Sequence, residues 1–227
     1  MFWDIKHGFP ERHWKYNRRE NTSHSWFLLL RNMWRKNQPC GWIPLMNWIG
    51  IFMPIVNPDG YVYSMEHDSN WRTNRAKHSK CIGVDINRNF PLNLGGNREI
   101  ATFIKEHLES IKFYNSLHCY GELILFPWAS TKNKFQTEAS HYELGKKGLK
   151  AITLSSGHGY KIGSAAKVLY TAKGSSIDYF TKIGIPYVYA MEIGTAFIPN
   201  VKEILPLAKD VLGFHVSIAE EIIEEFS

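Results

Sequence analysis

Apolar positions along the chain change period several times, and each change predicts an element. Ile49 to Val56 is a continuous apolar run that predicts a strand, ending at Asn57-Pro58-Asp59-Gly60, where proline and glycine chemistry predicts a surface turn. Glu99 to Ser110 carries Ile100, Phe103, Ile104 and Leu108 at helical spacing, and Lys112 to His118 then predicts a strand entering the core. Tyr142 to Leu154 and Ile177 to Ile183 predict helices, and Pro186 to Ile193 a strand. Val201 to Phe226 places Ile204, Leu205, Leu212, Val216, Ile218 and Ile222 on one broad face, which predicts a long closing helix. Strands alternating with helices make an α/β fold. Up to Trp48 the pattern is different. Trp3, Trp14, Trp26, Trp34, Trp42 and Trp48 stand among basic residues without a sustained period, and no element is assigned there.

Composition narrows the class further. In 227 residues, 44% hydrophobic and 14% aromatic, there is enough apolar material for one domain with a sizeable core, and no linker-like tract or repeat divides the chain. The net charge of +6 includes a basic N-terminal cluster of Lys15, Arg18, Arg19, Arg31, Arg35 and Lys36. With no finger, recognition helix or stacking motif beside it, this cluster is read as a solvated face, and no nucleic-acid partner is expected. Cys40, Cys81 and Cys119 form no CxxC pair and define neither a disulfide framework nor a thiolate zinc site. Gly41 to Val56 is too short and too interrupted by Pro44, Asn47 and Pro54 to span a bilayer, and Asp4, Lys6, His7 and Glu11 break any signal-peptide pattern at the start.

The residues that carry chemistry lie at predicted loops and strand ends: Arg72, Arg75, Asn87, Arg88, His118, Tyr170 and Glu192. His118 and Glu192 are predicted to end two strands, and in open α/β sheets the ligand crevice lies outside the carboxyl ends of strands. A lone histidine beside an apolar strand is more often structural than a metal ligand. No GxSxG nucleophile elbow occurs to suggest a serine hydrolase.

The words around these residues resemble, in the same order, motifs of the carboxypeptidase A/B family of zinc metallocarboxypeptidases. They are Asn57-Pro58-Asp59-Gly60-Tyr61, Trp71-Arg72-Thr73-Asn74-Arg75, Val84-Asp85-Ile86-Asn87-Arg88-Asn89-Phe90, Ser116-Leu117-His118-Cys119-Tyr120, Leu169 through Tyr179, and Tyr189-Ala190-Met191-Glu192-Ile193-Gly194. The resemblance implies a central mixed β-sheet flanked by helices and a single incomplete catalytic domain over 1–227, matched best over 49–224, that removes C-terminal residues from peptides with one zinc ion as cofactor. It implies that His118 is a zinc ligand and that Glu192 takes a proton from the zinc-bound water and returns it to the leaving amine. Arg72 would stabilise the developing oxyanion. Asn87 and Arg88 would bind the terminal carboxylate, and Tyr170 would close over it from a loop loosened by Gly174. Asp85 would accept a hydrogen bond from a zinc-bound histidine, and Arg75 would serve structure. Ile177 would form the base of the side-chain pocket and, with Ala172 and Ala190, favour hydrophobic C-terminal residues.

The match fails at the family's first metal motif, a His and a Glu separated by two residues. Aligned on Gly8 to Trp14, the ligand positions fall on Pro10 and His13, with Arg12 at the place of a substrate-path arginine. Proline cannot bind zinc, so His13, His7 and Glu11 are the candidates to complete the site, with His24 weaker still. The segment from Phe90 to Arg98 is short, and the sheet elements expected ahead of the metal motif have no counterpart, so an incomplete catalytic domain is expected. Two readings follow: a monomeric, secreted metallocarboxypeptidase, or a pseudoenzyme that holds peptide C-termini without catalysis.

Overall fold

The computed structural model describes residues 51, 53, 55–77, 81–90 and 97–227. Four strands form one mixed sheet in the order β1-β4-β2-β3. They are β1 (Phe113–His118), β2 (Leu123–Phe126), β3 (Lys161–Ser164) and β4 (Tyr187–Glu192). Strands β1 and β4 are parallel, with Phe113 opposite Tyr187 and His118 opposite Glu192. Strand β2 runs antiparallel to β4 and parallel to β3.

The helices are α1 (Pro58–Glu66), α2 (Asn97–Glu106), α3 (Glu138–Ser156), the short α4 (Ala165–Val168), α5 (Ser176–Ile183) and α6 (Val201–Phe226). Helix α6 opens with a capping box, in which Asn200 Oδ1 accepts from the Lys202 N–H and Glu203 Oε2 accepts from the Asn200 N–H. Helix α5 starts at Ser175 and ends at Gly184, whose φ of 109° is the left-handed conformation that suits a glycine stop.

Two sequence expectations are corrected. The run from Ile49 to Val56 does not form a strand at its described positions: only Ile51 takes part in a β-bridge, and Met53, Ile55 and Val56 are exposed. Asn57 to Gly60 is the start of α1 rather than a turn, because the same residue types serve both. Asn57 Oδ1 accepts the Gly60 N–H at 3.1 Å, and Pro58 occupies the first helical position, where no N–H is needed. Strands β2 and β3 and helix α4 were not predicted. The N-terminal positions 1–48 lie outside the described residues.

Side-chain alternation on β4 divides the core into two layers. Tyr187, Tyr189 and Met191 face α3 and α6, where Phe126, Ile152, Phe214 and Ile218 complete the packing. Val188 and Ala190 face the other way, against Ile104, Leu125, Ile177 and Phe180. Helices α3 and α6 approach closely at Gly148, where an added Cβ would lie 2.4 Å from Phe214 Cδ2. Among the described residues no helix is long and apolar enough to cross a membrane.

Past the end of β2 the Val188 N–H has no strand to bond, and the fully buried His141 supplies the acceptor. Its Nε2 takes the Val188 N–H at 3.2 Å while Nδ1–H donates to Thr137 O at 2.9 Å. Burial holds this ring neutral and pushes its pKa down to about 4, and burial does the same at His215, whose Nδ1 faces Val211 O and Nε2 faces Asn115. A histidine free in the unfolded chain titrates near 6.5. Between these values the unfolded state binds more protons, so stability is fully present above about pH 6.5 and falls as pH drops toward about 4. Urea unfolding across this range should show a loss on the order of 3 kcal/mol from His141 alone. In His141→Gln that slope should shrink.

Candidate active site

Because β1 and β4 are parallel and in register, His118 and Glu192 leave the sheet side by side at one edge. The strand period places Tyr114, Ser116 and His118 on the same face of β1. Ser116 Oγ lies 3.2 Å from His118 Nε2. The Asn87 amide meets the same ring nitrogen at 3.3 Å. Its own Oδ1 accepts the Ser176 N–H at 2.9 Å from the first residue of α5, which turns the Nδ2 donor toward the histidine.

Asn87 is held by a 3-10 turn over Ile86–Arg88. Asp85 caps that turn, with Oδ1 accepting the Asn87 N–H at 2.9 Å, and its Oδ2 accepts from Arg72 Nε at 2.6 Å. The described partners of the Asp85 carboxylate are thus Arg72 and the turn itself. Arg88 Nη1 donates to Asn87 O at 2.8 Å and Nη2 to the Tyr170 hydroxyl at 2.9 Å.

The loop that carries Tyr170 is docked twice on its C-terminal side. Ala172 N–H donates to Ala129 O, and Phe90 N–H to Gly174 O. Gly174 has φ of 73°, and an added Cβ would lie 2.2 Å from Arg88 O, so the close approach of the two loops requires glycine here. Asp178 on α5 fixes the same region by accepting the Ala129 and Ser130 N–H groups. Tyr170 itself is exposed.

Burial pushes the Glu192 carboxyl up to about 7, against the opposing pull of Arg72 and Arg88. Burial also pushes His118 down to about 4, with Arg72 and Arg88 acting in the same direction and Asp85 against them. A carboxyl near neutrality beside fixed guanidinium groups is suited to exchange protons at physiological pH.

Ile177 and Ala190 are buried in one apolar cluster, with Ala172 half-buried against it. Arg75 stacks over Tyr63 and Trp71, its guanidinium carbon 3.7 and 4.6 Å from the two ring centres. Cys81 and Cys119 are exposed free thiols. Of the residues singled out in the sequence, Arg72, Asp85, Asn87, Arg88, His118, Tyr170 and Glu192 gather at this edge. His7, Glu11, Arg12, His13, His24 and Cys40 lie outside the described residues. Ser116 and Ser176 were missed as members of the cluster, although the two-residue strand period was a sufficient signal for Ser116.

A family model described as zinc carboxypeptidase matches residues 29–102 and 96–213, which together span most of the chain and contain every member of this cluster. The chain belongs to the zinc carboxypeptidase family. Among curated relatives it is 30% identical to carboxypeptidase O of Bos taurus over 202 residues, covering 77% of this chain and 54% of the relative. It is 34% identical to carboxypeptidase A2 of Rattus norvegicus over 195 residues, covering 73% and 46%. The chain therefore spans about half the length of the curated relatives it matches. These relatives place it with the carboxypeptidase A/B type of the family.

Solved structures agree on the fold. Bovine thrombin-activatable fibrinolysis inhibitor, in complex with a tick carboxypeptidase inhibitor, superposes with a TM-score of 0.81 at 23% identity, covering 89% of this chain and 78% of that one. Carboxypeptidase A from Helicoverpa armigera gives 0.78 at 22% identity, covering 90% and 58%.

The family implies zinc, and the described residues fit it only in part. His118, neutral at physiological pH, offers one imidazole. Among the described residues no three His, Cys, Asp or Glu side chains lie together as a metal site. A catalytic zinc site needs about three protein ligands. On their own the described residues do not make one.

Proposed function

We propose that this chain is a peptide hydrolase acting at C-terminal ends, with a preference for hydrophobic terminal residues. The observation that supports this best is the convergence of Arg88, bonded to Tyr170, on the sheet edge where His118 and Glu192 stand opposite each other. A guanidinium matches a carboxylate in shape and charge, and one fixed beside a proton-exchanging group confines reaction to chain ends.

In this reading Arg88 and Asn87 take the substrate's terminal carboxylate and Tyr170 covers it. Glu192 accepts the proton of the attacking water and returns it to the leaving amine. Arg72, held by Asp85, faces the oxyanion. Ile177, Ala172 and Ala190 offer a terminal side chain no polar partner, so a cationic one would be buried at a cost of a few kcal/mol. Zinc dependence belongs to the same proposal, with His118 as one ligand and His7, Glu11 and His13 as candidates for the rest. So do the monomeric state and an extracellular location.

A second reading has its own observation. The family's first metal motif, HxxE, is missing ahead of Asn57-Pro58-Asp59-Gly60, which suits a protein in which Asn87, Arg88 and Tyr170 hold peptide C-termini without cleaving them. Metal analysis of the purified chain, together with hydrolysis and binding of blocked peptides ending in Phe or Lys, separates the two. About one bound zinc and cleavage of the Phe peptide is the expected result. Binding without zinc or cleavage leaves the second reading, and failure to bind either peptide sinks both.

A further inference from the structure

Apart from the cluster at the sheet edge, the described residues include a fully buried acidic side chain in the last helix that the proposed reaction does not use. Asp210 lies in the middle of α6, fully buried beside Leu207, Ala208, Val211 and Phe214. Its Oδ2 accepts from His158 Nδ1 at 2.7 Å and from the Tyr160 hydroxyl at 3.1 Å. Its Oδ1 has no hydrogen-bond partner among the described residues. A carboxylate half-satisfied in an apolar helix core is a poor stabiliser, and replacing such a group with a well-packed apolar residue is often neutral or favourable. What the group does here is geometric.

Tyr160, itself buried, also has the Gly194 backbone beside its hydroxyl. Gly194 stands two residues beyond Glu192, in the left-handed conformation with φ of 69°. Its carbonyl accepts the N–H groups of Gly121 and Glu122 at 2.8 and 3.1 Å, and the preceding Ile193 N–H donates to His118 O at 2.8 Å. The exit of β4 is therefore gripped on one side by the β1–β2 segment and on the other by the Tyr160 hydroxyl. That hydroxyl has two neighbours that fix it, Gly194 and Asp210.

We propose that Asp210 is a positioning residue: through Tyr160 it holds the Gly194 backbone, and so sets where β4 presents Glu192. The proposal rests on the reading that Glu192 exchanges protons with the reacting water. Asp210 touches no substrate atom in this scheme, and its effect reaches the site only through the chain path at residues 192–194.

The full-length chain with Tyr160→Phe removes one hydroxyl and no packing volume, and Asp210→Asn is its companion. Amide hydrogen exchange should accelerate about tenfold at Gly121, Glu122 and Ile193, compared with Ile152 in the α3 core, because a lost local anchor opens its own bonds before global unfolding does. In the zinc-supplied chain, kcat for a peptide ending in Phe should fall about tenfold with KM within about twofold, the pattern of a misplaced reacting group rather than a damaged binding site. If the three amides accelerate only in step with Ile152, the role is ordinary stabilisation and the proposal is overturned. Unchanged kcat in an active chain overturns it too. Should the parent chain show no hydrolysis at all, the proposed function fails on its own, and the exchange comparison still decides whether Asp210 anchors the end of β4. If Asp210→Asn does not fold, Tyr160→Phe carries the test.

Discussion

Replacing Glu192 with glutamine should lower kcat for a peptide ending in Phe by about 10²- to 10⁴-fold, the usual worth of a positioned general base. Glutamine keeps the size and the strand-end position opposite His118 but has no basic oxygen to take a proton. The same substitution should not harm the fold. Burial raises the Glu192 pKa from its ordinary value to about 7, so the folded state favours the neutral acid. Stability from that shift is present below the unfolded value and is lost as pH rises through about 7, where the buried group must ionise. In the metal-free chain at pH 8, Glu192→Gln should therefore melt at or above the temperature of the parent. A loss of activity under tenfold, or a large fall in melting temperature at pH 8, would show that Glu192 has another role.

Arg88→Gln should act on binding instead. Its guanidinium is held between Asn87 O and the Tyr170 hydroxyl, ready to meet an anion, and charge-assisted bonds of this kind contribute about 1.5–3 kcal/mol each. Losing them should raise KM, or the dissociation constant of an uncleaved peptide, by roughly 10²-fold. Preference should change as well. Titration calorimetry with a peptide ending in a free carboxylate, and with its C-terminal amide, should show strong discrimination in the parent and little in the variant. Equal binding of the two peptides by the parent would remove Arg88 from the carboxylate site. This comparison works for an enzyme and for a binding protein alike.

How much of this was legible in the sequence depended on length and on neighbours. Helix α6 was read to the residue, because Val201 to Phe226 sustains one apolar face over many turns and opens with Asn200. Strands β1 and β4 were placed within a residue or so, since β-branched and aromatic residues fill them between turn signals. Leu123–Phe126 and Lys161–Ser164 escaped notice because four-residue runs carry too little period to stand out. The segment Asn57-Pro58-Asp59-Gly60 was misread because asparagine and proline begin helices by the same chemistry with which they make turns, and Tyr61 to Glu66 shows no clear helical stripe. At the site, Asn87, Arg88, His118, Tyr170 and Glu192 were found through resemblance to family motifs. Their bonding was not. That Asp85 reaches Arg72, and that Asn87 is turned by the N–H of Ser176, depends on loop geometry that residue order does not encode in any local pattern.

The sequence distances within the cluster have a consequence for how the molecule forms. Arg88 and Tyr170 are 82 residues apart, and Asn87 and Ser176 are 89 apart. Helix α3, strands β3 and β4 and helix α6 lie within one continuous stretch of chain and can collapse on one another through nearer contacts. The contacts of Asn87 and Arg88 must instead await the closing of a loop of some eighty residues, whose entropy is lost before any bond there can repay it. The joining of Asn87 and Arg88 to Ser176 and Tyr170 is thus expected late in folding. A refolding experiment that follows peptide capture should lag one that follows helix formation, and a chain with a native-like helical spectrum can still lack its site.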